Sequence, residues 1–123
     1  MKTSLLVCLF VVAATPAFAD FSSCSEPYAP ASLDGNTATM EQMQQGQKDV
    51  VQFIKDSDTY QDCMNGQLKD MQREAARSKD KKPVDPSIVA MVQSKIDKNQ
   101  KLKEKVGAEF NTAAQTYNAK HPK

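Results

Sequence analysis

Residues 39–79, TMEQMQQGQKDVVQFIKDSDTYQDCMNGQLKDMQREAARSK, decide the fold. Thr39 followed by Gln42 has the pattern of a capping box, and Glu41 suits a first helical turn. From Met40 the spacing alternates three and four residues, through 40, 43, 47, 50, 54, 57, 61, 64, 68, 71 and 75. Met40, Met43, Val50, Ile54, Met64, Leu68, Met71 and Ala75 are apolar; Gln47, Ser57 and Gln61 are not. This is a heptad seam of the coiled-coil kind, and it predicts a helix from Met40 to near Lys79. Arg73, Arg77 and Lys79 put positive charge where the helix dipole favours it. Asn65-Gly66 is a turn dipeptide, and a break there would make three helices in all. The seam stays in phase across Gly66, so one unbroken helix is the expectation.

Towards the C terminus, Asp80 to Asp85 forms a short loop. Asp85 suits an N-cap and Pro86 the first helical position. A second seam runs through 89, 92, 96, 99, 103, 106, 110, 113 and 117, polar at Asn99 and Lys103. Two long helices joined by a short loop give an all-α antiparallel two-helix hairpin over residues 39–123. A loop centred between residues 82 and 83 places Ile96 near Leu68, Phe110 near Ile54, and Tyr117 near Gln47. Asn99 and Lys103 then fall near Gln61 and Met64, and such a polar layer fixes register at some cost in stability.

Towards the N terminus, residues 20–38 lose the helical period. Pro27, Pro30, Asp34-Gly35 and Asn36 mark an extended arm ending in a turn. Residues 1–19 have the pattern of a cleavable signal peptide. Lys2 is the positive start, the apolar run centres on Leu5 to Val12, and Ala17-Phe18-Ala19 suits the peptidase. The run is shorter than the ~20 residues a membrane-spanning helix needs. The exported part, without Lys2, carries fifteen basic and fifteen acidic residues. That balance argues against nucleic acid as the main partner. No long apolar run follows residue 19, so no stable membrane insertion is expected after cleavage.

Of the three cysteines, Cys8 leaves with the signal peptide. Cys24 and Cys63 remain in a chain sent to an oxidising compartment, which makes a Cys24–Cys63 disulfide the expectation. Two free thiols or an intermolecular bridge are the alternatives. The arm is long enough to run from Cys63 back along the first helix to its N terminus. Tyr28, Pro30 and Leu33 are then expected to cover Phe53 and Tyr60.

Three stretches carry a family resemblance. They are Cys24-x-x-Pro27-x-x-Pro30 with Asp34-Gly35, then Ser57-Asp58-x-Tyr60-Gln61-x-Cys63, and Lys95-Ile96-Asp97-x-Asn99-Gln100-x-x-Lys103-Glu104-x-Val106-Gly107. Together they resemble a group of small exported helical proteins of alphaproteobacteria. The resemblance implies export, a helical fold and a periplasmic address, with general secretion as the alternative. It implies no activity.

Catalytic chemistry finds little support. His121 stands near the C terminus beside Pro122, as a tail residue. No nucleophile elbow or phosphate-binding glycine loop is present in the sequence, so an enzyme is not expected. Asp56, Asp58 and Asp62 crowd one stretch without the ligand count of a calcium site. Met40 and Met43 suggest soft ligands for Cu(I), yet the methionines follow the seam as core residues do; no cofactor or metal is expected. Ile88, Met91 and Leu102 are apolar but off the second seam, and they form the candidate interaction surface. A small two-helix hairpin has limited core, so this surface would take the arm, a second copy in a homodimer, or another periplasmic protein. The best functional reading is a non-enzymatic periplasmic structural or interaction protein acting by helix-face docking. A chaperone-like holdase and a methionine-based Cu(I) binder are the alternatives.

Overall fold

The computed structural model describes residues 21–123. The expected signal peptide lies outside the described residues. Helix α1 spans Met40–Arg77 and helix α2 spans Pro86–Lys120, and the two pack against each other as an antiparallel hairpin. The remainder is the arm, which begins with a short helical turn at Phe21–Ser23.

Both helix starts follow from their local chemistry. The Thr39 hydroxyl accepts the Gln42 backbone N–H at 3.1 Å, and the Gln42 side-chain oxygen accepts the Thr39 N–H at 2.9 Å. This reciprocal pair satisfies two donors that an uncapped helix leaves open. At α2 the Asp85 carboxylate accepts the Ser87 N–H at 2.9 Å, and Pro86 occupies the first turn. Helix α1 runs unbroken through Asn65-Gly66. Met64 and Leu68 bracket that dipeptide and are both buried, so packing outweighs the ~1 kcal/mol helix penalty of the glycine.

Three layers make the interior. Nearest the loop, Cys24, Tyr60, Met64, Leu68 and Val92 form an apolar cluster, with Phe21, Cys63, Val84, Val89, Met91 and Ile96 packed against it. The middle layer is polar. Asn99 is fully buried and donates to the Ser57 hydroxyl at 3.3 Å, and its carbonyl accepts from Gln61 at 2.9 Å. Lys103 bonds Asp58 at the edge of this layer. Towards the open end, Met43, Val106 and Ala113 are buried again.

The expected polar layer therefore forms, with Asn99 against Gln61. Elsewhere the register is displaced. Phe110 lies beside Gly46, Gln47 and Val50, about one turn nearer the α1 N terminus than Ile54. The loop is asymmetric as well: α1 stops at Arg77 rather than Lys79, capped by the Ser78 N–H on the Glu74 carbonyl. That moves the loop centre towards lower numbers.

The Cys24–Cys63 disulfide joins the arm to α1 across 39 residues of sequence. From there the arm travels to the α1 N terminus, but along the groove between the helices. Pro27 borders Tyr60, and Leu33 sits over Gly46. The expected cover by Tyr28 does not form, because Tyr28 is 98% exposed. An extended chain presents neighbours to opposite sides, and with Pro27 half-buried the next side chain points outward.

Candidate functional site

The arm divides the hairpin into a covered flank and an open one. Its hold on the covered flank is strongest at Gly35. A Cβ placed there would lie 2.1 Å from the Ala113 carbonyl oxygen and 2.8 Å from the Tyr117 backbone nitrogen. The Asp34-Gly35 turn thus rests directly on the α2 backbone. Asp34 shapes it by accepting the Asn36 N–H on its carboxylate at 2.9 Å and the Ala38 N–H on its carbonyl at 2.9 Å. The bond from the Asn36 backbone, then that from its side chain, holds the Asp34 carboxyl below its ordinary range. One residue back, Ser32 donates to Glu109 of α2 at 2.9 Å.

Helical spacing puts Ile88, Met91 and Leu102 on the same stripe of α2 as Glu109 and Ala113, the stripe that meets the arm. All three side chains are half-buried. Met91 packs against the cluster that contains the disulfide. The structure thus joins Met91 to Cys24 and the core.

Beside the disulfide, a recess of about 340 Å³ is lined by Ser23, Cys24, Ser25, Pro27, Asp56, Thr59, Tyr60 and Cys63. Burial, with a smaller contribution from the Glu26 carboxylate, pushes the Tyr60 phenol above its ordinary range. Gln67 donates to Ser23 at its edge. Both thiols are committed to the bridge, so the recess offers no thiolate nucleophile.

The opposite flank carries an uncovered groove of about 250 Å³ between the open ends of the helices. Met40, Met43, Phe110, Ala114 and Tyr117 line it, with the amides of Gln44, Gln47 and Asn118 at its edges. Met40 is 62% exposed, and Val51, three turns along the same stripe, is 61% exposed. Met43 is buried, so the two thioethers proposed for copper have unequal access.

Sequence reasoning missed this groove because its residues were absorbed into the seam. The available signal was their position at the helix ends furthest from the loop. His121 also departs from expectation. It ends α2, with its ring stacked on Tyr117 at 4.2 Å and Nδ1 2.9 Å from the Tyr117 carbonyl oxygen.

The three aspartates do not converge: Asp58 is taken by Lys103, and Asp56 accepts from Gln52 at 2.7 Å. Among the described residues no group of three or more His, Cys, Asp or Glu is placed to hold a metal ion, and no helix is long and apolar enough to cross a membrane. Compared with family models, curated proteins and solved structures, the chain matches none.

Proposed function

We propose that this chain is an exported, non-enzymatic interaction protein that docks through the uncovered flank of its hairpin. The observation that carries the reading is the asymmetry of cover. The arm and disulfide close one groove of the hairpin, whereas Met40 and Val51 stand exposed along the other, whose lining includes the half-buried Phe110 and Tyr117. Methionine and aromatic residues are enriched at protein interfaces, and a rigid helix pair presents them at little entropic cost.

The test is a photocrosslinking residue at Val51 in the exported protein, combined with the solution mass of the purified oxidised form. Discrete adducts, to a second copy or to one recurrent partner, are expected. A monomeric mass with no adduct from Val51 overturns the reading.

Flexible thioethers at Met40 and Met43 favour a second reading, a holdase that accommodates varied clients on the same groove. Suppression of the aggregation of a reduced model client at stoichiometric ratio, lost in Met40→Asp, is its expected signature.

A further inference from the structure

The two ends of the arm are held by different means. Its C-terminal end is packed: Gly35 rests on the Ala113 carbonyl, Leu33 lies over Gly46, and Ser32 donates to Glu109. Its N-terminal end is tied covalently. Cys24 is buried in the apolar cluster with Tyr60, Met64, Leu68 and Val92, and Phe21 packs against it. Among the described residues, no backbone hydrogen bond ties residues 25–31 to either helix. Ser23 adds an exposed side-chain bond from Gln67. The bridge to Cys63, across 39 residues of chain, is the stronger tie, because an exposed hydrogen bond contributes less than the closure of a long loop. The recess beside the disulfide reaches this bridge, and both cysteines line it. Cys63 is half-buried, whereas Cys24 is 9% exposed. An incoming thiolate thus has a path to the Cys63 sulfur in the folded protein, and access helps to set the rate of thiol–disulfide exchange.

We infer that Cys24–Cys63 is a reducible latch, opened in the folded protein by a protein dithiol that enters through this recess, and that its opening frees residues 21–29 to uncover the apolar cluster. One thiolate of the dithiol attacks the Cys63 sulfur. The S–S bond breaks, and its electron pair goes to Cys24, which takes a proton. The second thiol of the dithiol then loses its proton and displaces Cys63 from the mixed disulfide. The dithiol leaves as a disulfide, and this chain holds two thiols. The Gln67 side-chain nitrogen lies 4.0 Å from the Cys63 sulfur, placed to donate to the departing thiolate. The packing of α1 on α2 does not pass through the bridge, and Gly35 and Leu33 keep the rest of the arm in place. What changes is the cover over Tyr60, Met64 and Leu68, all buried in the oxidised form. An apolar face that appears only on reduction is a redox signal that a partner can read. Two carboxylates shape the approach: Asp56 lines the recess, and Glu26 lies near enough to act on Tyr60. They repel a free thiolate, so the recess favours a dithiol carried on a neutral or basic surface. The latch belongs to the arm-covered flank and does not rest on the open groove.

The experiment follows reduction of the purified, oxidised protein by dithiothreitol, with alkylation of the freed thiols, across a series of sub-denaturing urea concentrations. Reduction through the recess should change by less than about twofold per molar urea, whereas reduction that waits for global unfolding should rise roughly fivefold or more per molar. Thr59→Trp fills the recess and should slow reduction roughly tenfold. Asp56→Asn removes a repelling charge and should speed it about twofold to threefold, an effect that fades at high salt. Thr59 and Asp56 are both exposed, and unchanged urea midpoints certify the two variants. Reduced wild type should keep its helical circular dichroism and gain several-fold in the fluorescence of a dye that binds apolar surface. Cys24→Ser with Cys63→Ser should show the same dye binding without reductant. Rates that climb with urea as unfolding does, Thr59→Trp reduced as fast as wild type, loss of helix on reduction, or no gain in dye fluorescence would each overturn the inference. None of these changes touches Val51 or the Met40–Phe110 groove, so this result and the crosslinking result are independent.

Discussion

Gly35 of the arm rests on the backbone of α2 at Ala113, with no space between them for a side chain. Its φ is not positive, so the glycine serves close approach and not an unusual turn. Gly35→Ala would drive a methyl group into the Ala113 carbonyl, and backbone cannot rotate aside as a side chain can. The expected cost is roughly 1–3 kcal/mol, with release of the arm end near Leu33. Gly66 provides the opposite case, because a Cβ there meets nothing within 4 Å. Gly66→Ala should stabilise by roughly 0.5–1 kcal/mol. Urea unfolding of the two oxidised variants beside wild type measures both signs at once.

Removing the disulfide frees the N-terminal end of the arm. For a loop of this length the chain-entropy account gives roughly 4 kcal/mol. Cys24→Ser with Cys63→Ser should therefore lower stability by about that amount while α1 and α2 remain helical. A thermal melt with and without reductant, followed at a helical wavelength, checks it. Equal melting temperatures would show that the arm is held by its other contacts alone.

Asn99 ties the middle layer together. Asn99→Ala would strand the buried Ser57 hydroxyl while Gln61 keeps its bond to Gln100, at a cost of roughly 1–3 kcal/mol. Adding Ser57→Ala to that variant should cost less than Ser57→Ala does in the wild type, since its partner is already gone. A double-mutant cycle by urea unfolding measures this coupling, and strict additivity would contradict the hydrogen-bonded layer.

Tyr60 couples stability to alkaline pH. Its phenol is held neutral in the folded state by burial, and then by Glu26, so the folded pKa stands above the unfolded value. The stabilisation is fully present below about pH 10 and is lost as pH rises through the folded pKa. Tyr60→Phe removes the ionisation and should flatten the fall in stability above pH 10. Urea midpoints from pH 8 to 11 for the two proteins provide the comparison.

Periodicity and caps are local quantities, and they made α1, α2, both helix starts and the hairpin legible in the sequence. The Cys24–Cys63 bridge was legible too, because the two thiols beyond the expected signal peptide leave one intramolecular pairing. The register of Phe110 was not, since facing pairs are set by packing between the helices. Nor was the path of the arm. Its length allowed the run along α1, but Tyr28 faces outward and Leu33 rests over Gly46 because of which side of an extended strand each occupies. The role of Gly35 depended on the closeness of α2, a contact across 78 residues of chain. By itself, then, the sequence determined which residues are helical and which thiols pair, since both follow from neighbours along the chain and simple counting. Tertiary structure alone decided which flank is covered and which groove is open, because those depend on how two long helices and an arm compete for the same surface.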